Sequence, residues 1–175
     1  LSMARAGWSA DRILKYYYTG TTVGSVDDDV RLRVGLMTDV PVTRLAMEDS
    51  VPAQVQVGTR TLAVPADSVV NLKVREGKVQ VMLRTGSDVR SLGLTKRAIL
   101  SWTDGVVDVA GPGDDVGAGS RYAHGSIEVS VGDGTDPQLV VVNVVQVRDY
   151  LLGIAEVVPT WPQAALRAQV IASRA

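Results

Sequence analysis

Hydrophobic spacing changes character twice along this chain. From Ser9 to Gly20 apolar side chains recur at helical intervals, with Ile13, Leu14, Tyr17 and Tyr18 on one face. Ser9 is suited to cap that helix, Asp11 places a negative charge in its first turn, and Gly20 supplies a stop. Trp8 and Tyr16 to Tyr18 are expected on the core-facing side. Asp27, Asp28 and Asp29 read as a solvated loop.

From Val30 the period falls to two. Val30, Leu32, Val34 and Leu36 alternate with Arg31, Arg33 and Gly35, which predicts a half-buried strand. Val55 and Val57, then Leu62 and Val64, continue the pattern around Gly58. Val70, Leu72 and Val74 mirror Val79, Val81 and Leu83 across Arg75-Glu76-Gly77, a hairpin signal. Ala98 to Trp102 and Val106 to Val109 are expected to pair across Thr103-Asp104-Gly105. Gly111 to Gly119 predicts an exposed loop. Tyr122 to Val131 reads as one strand, followed by the Gly132-Asp133-Gly134 turn. The run Leu139 to Val145 does not alternate, so both its faces are expected to be buried.

The helical period then returns. Asp149 opens a short helical turn with Tyr150 and Leu151, and an Ala-rich helix starts near Trp161, with Pro162 in its first turn. Leu166, Gln169 and Val170 are expected to share one of its faces. The whole pattern predicts an α+β fold: a predominantly antiparallel β domain with a helix at each end. The expected segments are 1–23, 30–146 and 147–175 of a single domain.

Composition narrows the chemistry. Hydrophobic residues make up 46% of the 175, enough for a core. Lys and Arg total 18 against 19 Asp and Glu, so net charge −1 gives no electrostatic reason to expect nucleic acid or an anionic membrane. Cys is absent, which removes disulfides, thiol nucleophiles and Cys-based zinc sites. No apolar run approaches the roughly 20 residues that span a bilayer. His124, the single histidine, reads as a surface or hydrogen-bonded residue, and no metal or cofactor is expected. Gly111-Pro112-Gly113 lacks the Lys and helix start of a phosphate loop. Ser126 and Ser173 have no base signature beside them.

Glu156 is the strongest candidate for chemistry. It lies between an apolar segment and a helix start, flanked by Ile154, Ala155, Val157, Val158, Pro159 and Trp161. Such surroundings favour the protonated carboxyl group, because desolvation disfavours charge. Carboxyl groups tuned this way serve as general acids near neutral pH. On composition alone a structural carboxylate, capping backbone or paired with an arginine, is the favoured explanation, because perturbed carboxylates are often structural.

A resemblance bears on that choice. The ordered run Asp149-Tyr150-Leu151, Gly153, Glu156-Val157, Pro159-Thr160-Trp161-Pro162, Ala165-Leu166-Arg167-Ala168-Gln169 and Ala172-Ser173-Arg174-Ala175 resembles the SpoIID/LytB family, whose members show D-Y-L-x-G, then E-x-P-x-x-W, then A-L-K-A-Q-A-x-A-A-R. A second match joins Met3-Ala4-Arg5-Ala6-Gly7-Trp8 to Ile13-Leu14 and Tyr16-Tyr17-Tyr18-Thr19-Gly20-Thr21, similar to M-A-x-x-G and I-L-x-Y-Y-x-G-T. A third is Tyr122 with Gly125-Ser126-Ile127-Glu128-Val129. Arg148 stands where the family usually has Glu, and the Gly153-to-Glu156 spacing is about two residues shorter than in many members.

The resemblance implies a peptidoglycan lytic transglycosylase with Glu156 as acid and base, and Tyr150, Trp161, Gln169 and Arg174 as substrate-binding residues. Trp161 suits either stacking on a sugar or anchoring a core. Arg174 is expected to pair with a carboxylate, Asp149 or Glu156, or to suit the helix dipole. The implied partners are peptidoglycan glycan strands and, through the LytB branch of amidase enhancers, a cell-wall amidase. The implied location is extracytoplasmic. Both ends of the chain read as cut from a longer exported protein, with part of the family domain on either side.

Overall fold

The computed structural model describes residues 1–25, 29–48, 53–115, 117–153 and 160–174. Asp27, Asp28 and Glu156 lie outside them. The chain divides into two compact units: Leu1–Arg31 with Gln146–Ala175, and Leu32–Val145.

The first unit holds α1 (Ser2–Arg5) and α2 (Ala10–Tyr17). Ser9 caps α2 as expected: its hydroxyl oxygen accepts the Arg12 N–H at 3.3 Å. The helix stops at Tyr17, and Gly20 follows with φ of +84°, a left-handed conformation that glycine adopts without a Cβ penalty. Its buried face is narrower than the spacing suggested. Ala10 and Leu14, four residues apart, are buried, whereas Tyr16, Tyr17 and Tyr18 are all exposed.

The β unit follows with β1 (Arg31–Val40), β2 (Val42–Glu48), β3 (Ala53–Val57), β4 (Arg60–Val64), β5 (Ser68–Arg75) and β6 (Lys78–Thr85). It continues with β7 (Asp88–Thr95), β8 (Arg97–Ser101), β9 (Val106–Ala110), β10 (Ser120–Tyr122), β11 (Ser126–Val131) and β12 (Leu139–Gln146). They form two six-stranded sheets, ordered β1-β12-β11-β8-β3-β4 and β10-β9-β2-β5-β6-β7. With α3 (Val147–Leu152) and α4 (Gln163–Arg174) closing the chain, the fold is α+β, mostly antiparallel β with helices at both ends.

One core lies between the sheets. Val55, Leu100, Ile127, Leu139 and Val141 from one meet Leu45, Val70, Leu72, Val79, Val81 and Val107 from the other, each at most 2% exposed. Alternation is the cause. In β3 the residues Ala53, Val55 and Val57 are buried while Gln54 and Gln56 face outward. β12 alternates between buried and half-buried positions, with none exposed, so one face is sealed and the other only half-covered, short of the burial on both faces that its apolar run suggested. The β5–β6 hairpin is as expected. Glu76 and Gly77 take φ of 53° and 66° between the paired Arg75 and Lys78, the two-residue turn with positive φ that matches strand twist.

Two expectations were not met, one pairing and one continuous strand. β8 and β9 are neighbours in sequence but belong to different sheets: β8 pairs with β3 and β11, and β9 with β2 and β10. The stretch Tyr122 to Val131 is likewise two strands, because the chain crosses between sheets at Ala123 to Gly125. That crossing is pinned from two sides. Trp102 Nε1–H donates to the Ala123 carbonyl at 3.3 Å, and Asn143 Nδ2–H to the His124 carbonyl at 3.2 Å. The Gly/Asp-rich loop after β9 is tethered too. Asp108 Oδ1 accepts the Gly117 N–H at 3.1 Å, and Asp114 Oδ2 accepts the Gly111 N–H at 2.9 Å.

Candidate functional site

The adjacency of β1 and β12 explains how the chain ends meet. Because those strands are neighbours, the chain enters and leaves the sheet side by side, and the Val147 N–H donates to the Val30 carbonyl at 3.0 Å. Residues more than a hundred positions apart thereby fold into one unit. Ala10 and Leu14 of α2 bury against Ala168 of α4, with Ile13, Ile171 and Ala172 around them. Small side chains at the crossing let the helices approach closely, so the Ala-rich composition of α4 is a packing requirement. The face that α4 buries therefore centres on Ala168, Ile171 and Ala172. Leu166 and Gln169 are half-buried and Val170 is 44% exposed, so the expected face is displaced around the helix. Pro162 immediately precedes α4, and its carbonyl accepts the N–H groups of Ala165 and Leu166.

Two hollows flank this helix pair. One, of about 260 Å³, lies at the C-terminal ends of α2 and α4 and is lined by Leu14, Tyr18, Thr21, Val23, Ile171 and Arg174 among others. Among the described residues that line it, Arg174 is the charged one. The other is more open, about 670 Å³, and runs along the N-terminal ends, with Ser9 and Asp11 on one side and Gln163, Leu166, Arg167 and Val170 on the other. Beside them half-buried Trp8 and the exposed Tyr16 and Tyr17 of α2 form an aromatic chain. Trp8 meets Tyr16 edge-on at 6.0 Å, Tyr16 meets Tyr17 at 5.2 Å, and the Arg12 guanidinium lies 4.0 Å above the Trp8 ring.

The sequence-derived site residues are placed as follows. Glu156 lies outside the described residues. Arg174 lines the smaller hollow. Trp161 is half-buried just ahead of α4, and Tyr150 on α3 is 37% exposed. Gln169 Nε2–H donates to Ser173 Oγ at 3.4 Å, one helical turn on. Of these four, Arg174 alone lines either hollow. Asp149 pairs with its neighbour Arg148, Nε to Oδ1 at 3.3 Å. His124 has an exposed side chain, and its backbone carbonyl does the structural work by accepting from Asn143. Among the described residues no group of three or more His, Asp and Glu side chains is arranged to hold a metal ion, and no helix is long and apolar enough to cross a membrane.

Sequence reasoning did not anticipate Thr21 and Val23 beside the smaller hollow. Their signal was weak: a short polar-apolar segment after Gly20 with no periodicity. No known family model, curated protein or solved structure matches this chain.

Proposed function

We propose that this protein acts outside the cytoplasm on peptidoglycan, cutting glycan strands in the manner of a lytic transglycosylase, with Glu156 as acid and base. The reading starts from the ordered resemblance to the SpoIID/LytB family. The observation that carries it further is the cluster joining α2 to α4. Ile13 and Leu14 come from one resembling segment, Ala168 and Ala172 from the other, and they pack together in one unit. Two motifs that meet only in three dimensions make chance agreement at each a weaker explanation.

The chemistry needs one carboxyl group used twice. Protonated Glu156 gives its proton to the glycosidic oxygen as the bond to the anomeric carbon breaks. The resulting carboxylate then takes the proton of the same sugar's 6-hydroxyl as that oxygen closes onto the anomeric carbon. No water enters, so the second carboxylate of ordinary glycosidases has no task. Tyr150, Trp161, Gln169 and Arg174 are assigned to holding the strand.

The test is incubation with purified glycan strands, with and without stem peptides, read by mass spectrometry. Wild-type protein should release anhydro-muramyl ends, and Glu156→Gln should lower the rate by about 10²- to 10⁴-fold, the usual worth of a positioned acid–base group. Absence of such ends with wild-type protein, or equal rates for the variant, overturns the reading. A second reading, as a non-catalytic enhancer of a wall amidase, is favoured by the exposure of Tyr16, Tyr17 and Tyr18 at 60%, 66% and 51%, an aromatic surface suited to a protein partner. It requires stimulation of an amidase that survives Glu156→Gln and fails in Tyr17→Ala.

A further inference from the structure

Strand register creates a feature of the β unit that has no counterpart in the helical unit. Ser101 of β8 lies opposite Gln54 of β3, and Gln54 opposite Ala63 of β4. Paired residues point to the same side of a sheet. Their neighbours Leu100, Val55 and Leu62 form the next row, two buried and one half-buried, so Ser101, Gln54 and Ala63 form a row on the outer face. All three are exposed. At the end of β8 the chain turns, and Trp102 and Thr103 close one side of a hollow of about 340 Å³ completed by Ala53.

Trp102 is held in place. One part of it packs on the core between the sheets, and its indole N–H is committed to the Ala123 carbonyl at 3.3 Å. What it offers to the hollow is therefore apolar ring surface in a fixed position. Among the described residues, the Gln54 amide and the Ser101 and Thr103 hydroxyls make no side-chain hydrogen bond to the protein, so each has donor and acceptor capacity to spare. Among the described residues, none that lines the hollow is charged.

We infer that this hollow binds a neutral sugar unit. A charged ligand would lose hydration with no counter-charge to replace it. A purely apolar ligand would strip water from an amide and two hydroxyls without satisfying them. A pyranose ring meets both requirements: its C–H face covers an indole ring, and its hydroxyls exchange hydrogen bonds with amide and hydroxyl groups. The volume lies at the low end of ligand pockets, which run about 300–1,000 Å³, and fits one ring with part of a second. The site is built wholly from the β unit and is independent of Glu156, so it would hold glycan whether or not the helical unit cuts it.

The test is titration of isotope-labelled protein with tri-N-acetylchitotriose, cellotriose and maltotriose, read by backbone amide shifts. At least one sugar should saturate with a dissociation constant of about 1–10 mM, weak because few groups converge. The amides of Gln54, Ala63, Ser101 and Thr103 should move. The exposed substitutions Gln54→Ala and Thr103→Val, combined, should weaken binding at least about 5-fold with the circular dichroism spectrum unchanged. They avoid Trp102, whose removal would disturb the core. Tyr17→Ala, in the other unit, should leave affinity unchanged. No saturable shift with any of the three up to about 20 mM, an unaltered affinity in the Gln54/Thr103 variant, or shifts centred on Trp8 and Tyr16 to Tyr18 would each overturn the inference. None of these outcomes reads glycan cleavage, so the cutting proposal stands or falls separately.

Discussion

Replacing Gly125 by alanine tests the sheet crossing that organises the β unit. Gly125 has φ of +103°, where L side chains are strained, and an alanine Cβ there would overlap the Asn143 side-chain oxygen and come within 2.8 Å of the Val144 carbonyl. Asn143 is 6% exposed and anchors the crossing through its bond to the His124 carbonyl. Strain at such a φ costs about 1–3 kcal/mol. Displacing Asn143 breaks its hydrogen bond and leaves a buried amide unpaired, a further 1–3 kcal/mol or so. The sum, about 2–6 kcal/mol, exceeds what most single substitutions do.

Gly58→Ala is the control. That residue has φ of +64° with nothing within 4 Å of the added carbon, so it bears strain of about 1 kcal/mol alone. Urea unfolding followed by the β signal in circular dichroism separates the two effects. With an m-value of about 2 kcal/mol/M, Gly125→Ala should lower the midpoint by about 1–3 M and Gly58→Ala by about 0.5 M. Adding Asn143→Ala to Gly125→Ala should cost less than the two single changes summed, because the overlap disappears. Equal midpoints for Gly125→Ala and Gly58→Ala would refute the claim that the crossing is sterically fixed.

Two further outcomes follow from the same reasoning. Glu76→Asn should stabilise the β5–β6 hairpin by about 0.5–1 kcal/mol, seen as a higher urea midpoint, since asparagine tolerates positive φ better than glutamate. The lost Arg75–Glu76 pair, 3.4 Å long with both side chains more than half exposed, contributes too little to reverse the sign. Glu128 is only 12% exposed and accepts from Arg33 at 2.6 Å, with Arg97 at 3.7 Å, both of them 57% exposed. Glu128→Gln should cost about 1–2 kcal/mol, reduced from the buried value because solvent screens the arginines. The deficit should shrink in high salt, and a deficit unchanged by salt would count against the electrostatic account.

The amino-acid order settled which residues face inward along most strands, because side-chain direction has period two and burial follows it locally. It settled the Ser9 cap and the Glu76-Gly77 turn, both decided by neighbours within three residues. It also named Glu156, Tyr150, Trp161, Gln169 and Arg174 as candidates, through the family resemblance. It did not settle which sheet each strand joins. β8 and β9 read as a hairpin, yet their partners β3, β11, β2 and β10 are remote in sequence, and long-range pairing outweighed the short turn. Nor could periodicity expose the tyrosines of α2, since an amphipathic pattern marks an apolar face but not how much of it a partner helix covers. Packing on the small Ala168 buried Ala10 and Leu14 and left Tyr16 to Tyr18 outside. Gln54, Ser101 and Trp102 carry no local signal at all. They converge because strand register aligns two of them and a sheet crossing anchors the third, and register is a property of pairs of strands that no single stretch of sequence contains.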